Sequence, residues 1–194
     1  MELAINFISG VIGAAGAAAT ASVIGRRKVD EARRDPMTGL DTRVGFETKA
    51  RKALAQGACA VVMIDLDGLK KVNDSKGHEE GDRFICDAAA QLKHWLSERA
   101  IIARLGGDEF AAIYPLNQFD ERDLDEIVKA IPMSMGLVVA RKGDDYSVVL
   151  RAADAAMYLS KSRGKGQWTG LGLATSVPAG AGGREQRRGQ KNHK

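Results

Sequence analysis

The residues best suited to chemistry are acids set beside glycines. Arg104-Leu105-Gly106-Gly107-Asp108-Glu109-Phe110 is flanked by Ile101-Ile102-Ala103 and by Ala111-Ala112-Ile113-Tyr114. Apolar runs on both sides predict two short strands joined by a tight turn, with Gly106 and Gly107 where the backbone needs positive φ. Asp108 and Glu109 then begin the second strand. Glycines admit a bulky anion close to the backbone, and adjacent carboxylates hold a hard cation, so the pattern suggests a metal-bound phosphate site. Taken alone, the same residues also read as a hairpin tip with solvated charges.

A second pair of acids closes the nearly continuous apolar run from Ala58 to Leu66, which ends Asp65-Leu66-Asp67. Such a run predicts a buried central strand, and residues two apart on a strand share a face. Carboxylates at the end of a central strand are a common way to hold Mg²⁺ against a triphosphate.

The elements that must position these acids can be read from periodicity. Asp35-Pro36-Met37-Thr38-Gly39-Leu40 is a turn, since Pro36 disfavours helix at Asp35. Thr42 is placed to cap a helix running to about Ala55, with Phe46, Ala50, Ala53 and Leu54 inward. Gly68 to Asp82 is polar, with a short helix at its start, and Asp82 is placed to cap the next helix, which buries Phe84, Ile85, Ala88, Leu92, Trp95 and Leu96. A helix over Asp120 to Ile131 and a buried strand over Met133 to Ala140 follow. Ser147 to Lys161 reads as a helix with Val148, Leu150, Ala152, Ala155, Ala156 and Tyr158 inward. Lys161, Arg163 and Lys165 crowd its end, where cations suit the helix dipole and are also within reach of a triphosphate.

Outside this core, Leu3 to Ile24 is a run of 22 residues without a charge, followed by Arg26-Arg27-Lys28. It is long enough to span a bilayer, and the basic residues place the C-terminal side in the cytoplasm. A cleaved signal peptide or a surface helix are the alternatives. Small residues at four-residue spacing, Gly10 with Ala14 and Gly13 with Ala17, suit close helix pairing. The expected organisation is a membrane anchor over 1–28, a linker over 29–34, one domain over 35–168 and a disordered basic tail over 169–194. Five basic residues and one acid between Arg184 and Lys194 account for the whole formal charge of +4, so the domain is neutral and no nucleic-acid partner is expected. Cys59 and Cys86, the two cysteines, read as reduced thiols.

Taken in order, these segments resemble the successive motifs of the GGDEF family of diguanylate cyclases. The resemblance runs from Asp35-Pro36-Met37-Thr38-Gly39-Leu40-Asp41-Thr42-Arg43 through Asp65 to Asp74, Gly77-His78 and Gly81-Asp82. It includes the name-giving signature in full at Arg104 to Phe110, then Ser134-Met135-Gly136, Ala153 to Tyr158, Lys161 and Gly164-Lys165. The resemblance implies an α+β fold, a central mostly antiparallel sheet wrapped by helices as in the palm of nucleotide cyclases and polymerases. It implies a dimeric, Mg²⁺- or Mn²⁺-dependent enzyme that joins two GTP into cyclic di-GMP and releases pyrophosphate. Asp65, the Leu66 carbonyl, Asp108 and Glu109 would hold metal, with Glu109 alternatively helping to deprotonate the attacking 3′-hydroxyl. Asn73 and Asp82 would read guanine, and Lys70, Gly106, Gly107, Lys161 and Lys165 would bind the rest of the substrate.

Several positions depart from the family pattern. Ser97 and Ala100 stand where the feedback-inhibition site carries Arg and Asp, so inhibition there is not implied. Thr42 replaces a usual Asn and Leu69 a usual Phe, and the segment from Pro115 to Pro132 is short. A silent GTP-binding module and a cyclase with altered base choice are the rival readings.

Overall fold

In the computed structural model, residues 33–96 and 100–172 are described. The expected membrane span, its small-residue face, the linker up to residue 32, Ser97 and the tail beyond Gly172 lie outside those residues. Among the described residues no helix is long and apolar enough to cross a membrane.

Six strands form one sheet. In chain order the elements are β1 (Asp41–Thr42), α1 (Arg43–Gln56), β2 (Cys59–Leu66), α2 (Leu69–Lys76), α3 (His78–Leu96), β3 (Ile101–Gly106), β4 (Glu109–Pro115), α4 (Glu121–Ala130), β5 (Met133–Ala140), α5 (Tyr146–Ser162) and β6 (Trp168–Gly172). The strand order is β1-β3-β4-β2-β5-β6. The three inner pairings are antiparallel, and the two edge strands, β1 on β3 and β6 on β5, are parallel. The sheet is therefore mostly antiparallel, as expected.

The central strand β2 is buried at every position except Asp65. Its alternate side chains feed two cores. Ala60, Val62, Ile64 and Leu66 pack with α3 and α4, whereas Cys59, Val61 and Met63 pack with α1 and α5. Burial on both faces is why the sequence shows a continuous apolar run here rather than alternation. Both cysteines are free thiols.

The caps at Thr42, Asp120 and Asp145 each accept backbone N–H groups at a helix start. Three readings are corrected. Asp82 does not cap a helix: α3 begins four residues earlier, at His78, with Glu79 and Glu80 in its first turn, where acids suit the dipole. The inward stripe of α5 is Tyr146, Val149, Ala153, Ala156, Met157 and Ser160, so of the expected set only Ala156 is fully inward, while Val148 and Tyr158 are exposed. The cause is Gly136 on β5. A Cβ there would lie 2.1 Å from the Ala153 carbonyl oxygen and 2.2 Å from the Met157 nitrogen, so the helix backbone packs directly on the strand and turns its small residues inward. Finally, the chain continues as strand β6 through Gly172, inside the segment expected to be a disordered tail. Its glycines hid it: parallel pairing with β5, rather than side-chain pattern, defines the strand.

Candidate active site

The site is assembled where β2 ends against the β3–β4 turn. Asp65 lies directly opposite Glu109 in the β2–β4 register and opposite Ser134 in the β2–β5 register. Residues paired across antiparallel strands point to the same face. The Leu66 N–H donates to the Asp108 carbonyl oxygen at 3.1 Å, which ties the turn to the end of the central strand. Gly106 (φ 145°) and Gly107 (φ 53°) both take the positive φ expected of them.

Arg104 fastens this turn to the rest of the domain. Its Nε and Nη2 donate to the Gly107 carbonyl oxygen at 3.0 and 2.9 Å, and its Nη1 lies 3.4 Å from Asp35 Oδ1. Asp35 also accepts from the Thr38 N–H at 2.8 Å and the Thr38 hydroxyl at 2.7 Å. Burial pushes Asp35 up, but the two Thr38 bonds and the Arg104 charge outweigh it and leave the carboxyl below its ordinary 3.8.

Beside the turn lies a cleft of about 570 Å³ lined by Asp65, Leu66, Asp108, Lys70 and Lys165, with Gly68, Leu69, Lys71, Asp74 and Ser75 from the start and far side of α2. Asp65 is 13% exposed, and Lys161 Nζ from the last turn of α5 lies 2.7 Å from its Oδ2. Burial raises the Asp65 carboxyl above its ordinary 3.8; Lys161 pulls it down, and the charges of Asp108 and Asp67 push it up again. A carboxyl in that setting favours any arrangement that adds positive charge.

The donor set suits a hard divalent cation. Asp65 and Asp108 bring two carboxylates to one cleft that Leu66 also lines, and the Lys161 ammonium already sits as a cation against Asp65. Among the described residues no three His, Cys, Asp or Glu side chains gather closely enough to hold an ion by themselves. An ion here would therefore complete its shell with phosphate oxygens and water, as Mg²⁺ does at nucleotide sites.

Of the other expected site residues, Glu109 does not line the cleft. Its carboxylate is half exposed and lies 3.6 Å from Arg43 Nη2 at the start of α1, and Arg43 Nε also donates to the Leu105 carbonyl oxygen at 3.3 Å. Asn73 and Asp82 stand off the cleft too. Asn73 Oδ1 is buried against Gly81, with no hydrogen-bond partner among the described residues, and Asp82 is exposed on the next residue of α3. Two functional candidates escaped the sequence reading. Arg43 stands in the sequence only as part of a motif, because a cation close to Glu109 in space leaves no signal in spacing. Asp67 shares a strand end with Asp65 in the sequence, but its partners come from β5 and from the turn after α5.

The family pattern described as "Diguanylate cyclase, GGDEF domain" matches residues 32–131. The chain belongs to the GGDEF family. A 19.3 kDa protein encoded 5′ of repSA in Streptomyces ambofaciens is 35% identical over 155 residues, covering 72% of this chain and 84% of that protein. Diguanylate cyclase TpbB of Pseudomonas aeruginosa is 32% identical over 159 residues, covering 70% of this chain but 37% of that protein. This chain thus spans little more than a third of TpbB. Among solved structures, the coiled coil and GGDEF domain of DgcB from Caulobacter crescentus, in complex with c-di-GMP, superposes with a TM-score of 0.68 at 27% identity, covering 82% of this chain and 99% of that one.

Proposed function

We propose that this protein is a diguanylate cyclase. It condenses two GTP into cyclic di-GMP: the 3′-hydroxyl of each nucleotide attacks the α-phosphorus of the other, two P–O bonds form, and two pyrophosphates leave. The observation that carries this reading is the convergence of Asp65 and Asp108 on one cleft walled by Lys70 and Lys165, with Lys161 on the Asp65 carboxylate.

Each residue has a physical task. Asp65, Asp108 and the Leu66 carbonyl would hold the divalent ion, Mg²⁺ or Mn²⁺. When bound, that ion neutralises charge on the transferring phosphoryl group and acidifies the attacking hydroxyl. Gly106 and Gly107, exposed and without side chains, let phosphate approach the backbone. Lys161, Lys165 and Lys70 supply ammonium groups to the polyphosphate. Glu109, held by Arg43, stands opposite Asp65 to take the 3′-hydroxyl proton or to join a second ion. Asn73 and Asp82 supply an amide and a carboxylate for the edge of guanine, and Asn73 turns its side chain away from Gly81 to reach it.

One such site holds one GTP, so catalysis needs two protomers face to face. The uncharged run over residues 3–24, followed by three basic residues, supports a membrane tether that keeps the domain on the cytoplasmic side and concentrates protomers. The test is purified protein with GTP and Mg²⁺: cyclic di-GMP forms, and Asp108→Ala abolishes it without unfolding the protein. Binding of a non-hydrolysable GTP analogue by a dimeric sample that makes no product would favour a silent GTP-binding module instead.

A further inference from the structure

Asp67 is two residues from Asp65 and equally acidic, yet its surroundings are different. Its side chain is 9% exposed. The fully buried Ser134 hydroxyl lies 3.0 Å from Oδ1 and 2.8 Å from Oδ2, the Gly166 N–H donates to Oδ2 at 2.9 Å, and Lys165 Nζ is 3.9 Å from Oδ1. These contacts commit the carboxylate to β5 and to the turn after α5, and Asp67 is not among the residues that line the cleft.

What Asp67 holds is an unusual turn. Gly164, Lys165 and Gly166 follow one another at φ 120°, 61° and 57°, and Lys165 is the one non-glycine with positive φ among the described residues. A left-handed lysine is unfavourable and persists only where its surroundings over-determine it. Two bonds do so here: the Lys165 N–H donates to the Ser160 carbonyl oxygen at 3.2 Å, and the Gly166 N–H donates to Asp67. The side chain itself is exposed and lines the cleft, so the strain does not serve packing. At 3.9 Å its ion pair with Asp67 is loose, leaving the ammonium available to a stronger anion.

We infer that Asp67 is a positioning residue, not a metal ligand: by clamping Ser134 and the Gly166 N–H it locks the turn after α5 in the strained form that aims Lys165 at the polyphosphate of a bound nucleoside triphosphate. This rests on the proposed function. It also explains why two acids on one strand end have separate duties. Asp65 faces the cleft and Lys161, whereas Asp67 faces the turn that carries Lys165.

The test uses the full chain, with Asp67→Ala, Asp67→Asn and Lys165→Ala. Amide exchange is followed at Lys165 and Gly166. Affinity for a non-hydrolysable GTP analogue is measured by calorimetry, and nucleotide-free Mn²⁺ affinity by paramagnetic resonance. Asp67→Ala speeds exchange at both amides and weakens the analogue by about tenfold, while Mn²⁺ affinity stays within about twofold. Asp67→Asn, which keeps an oxygen for the Gly166 N–H, recovers most of the loss. In the Lys165→Ala background Asp67→Ala costs at most about twofold, because the two act through one contact. Loss of Mn²⁺ affinity in both Asp67 variants would make Asp67 a metal ligand and overturn the inference, as would unchanged exchange or unchanged analogue affinity. Failure of the parent protein to bind the analogue, with exchange still responding to Asp67→Ala, would sink the proposed function and with it the turn's assignment to triphosphate.

Discussion

Lys161 Nζ lies 2.7 Å from Asp65 Oδ2, so the ammonium at the end of α5 occupies the place beside the carboxylate where a divalent ion would sit. The contact links two duties of one residue, since the same ammonium that neutralises Asp65 is assigned to the triphosphate. Lys161→Met therefore has opposite effects on two ligands. Nucleotide-free Mn²⁺ binds several-fold more tightly, because nothing has to be displaced, and a non-hydrolysable GTP analogue binds about tenfold more weakly. Resonance and calorimetric titrations of the two ligands check this.

Asp65 is also a weak point of the fold. Burial raises its carboxyl above the ordinary 3.8 even with Lys161 beside it. For an acid with a raised folded value, ionisation costs stability: the penalty is absent below 3.8, grows as pH climbs through the raised value, and is constant above it. Asp65→Asn is accordingly more stable than the parent at neutral pH and loses that advantage below pH 3.8, while being inactive. Lys161 is 31% exposed and can turn to water once unpaired. Thermal melts across the acid range read the crossing directly.

Arg104 shows the opposite sign. It joins the Gly107 carbonyl to Asp35, and both side chains are largely buried, at 12% and 18% exposed. Asp35 lies below 3.8, so its contribution is present above that value and fades as pH falls through the lowered one. Arg104→Gln costs about 2 kcal/mol at neutral pH, with the deficit shrinking in acid, and loosens the turn that carries Asp108. Urea unfolding at two pH values measures it.

Much of the fold was legible because the signals were local. The buried run ending at Leu66, the Gly106-Gly107 turn and the Thr42 cap each follow from their own residues, and each was found where expected. What stayed hidden depended on distant neighbours. The inward face of α5 is set by Gly136, eighteen residues from the middle of the helix in sequence, and β6 is a strand only because β5 pairs with it. At the site, Asp65 and Asp108 could be joined through strand ends and a turn, whereas the Arg43–Glu109 contact and the Asp67 clamp require three-dimensional proximity that no spacing encodes.

Gly136 offers a test of the packing alone. Because a Cβ there would meet helix backbone at 2.1 and 2.2 Å, neither neighbour can turn aside. Gly136→Ala forces α5 off the sheet and costs about 3 kcal/mol or more, seen as a lower denaturation midpoint. Gly170→Ala on β6, where the nearest atom is a Trp168 ring carbon at 3.4 Å, costs little by comparison.

The account depends above all on Asp65 and Asp108 serving a single ion beside a bound nucleotide. Mn²⁺ affinity measured with a saturating non-hydrolysable GTP analogue examines that claim in the parent, the two single alanine variants and the double variant. The account predicts that each single variant weakens one and the same Mn²⁺ by about tenfold or more, and that the double variant binds that ion more weakly than either. Unchanged affinity in either single variant, or two bound Mn²⁺ of which each variant weakens a different one, would contradict it.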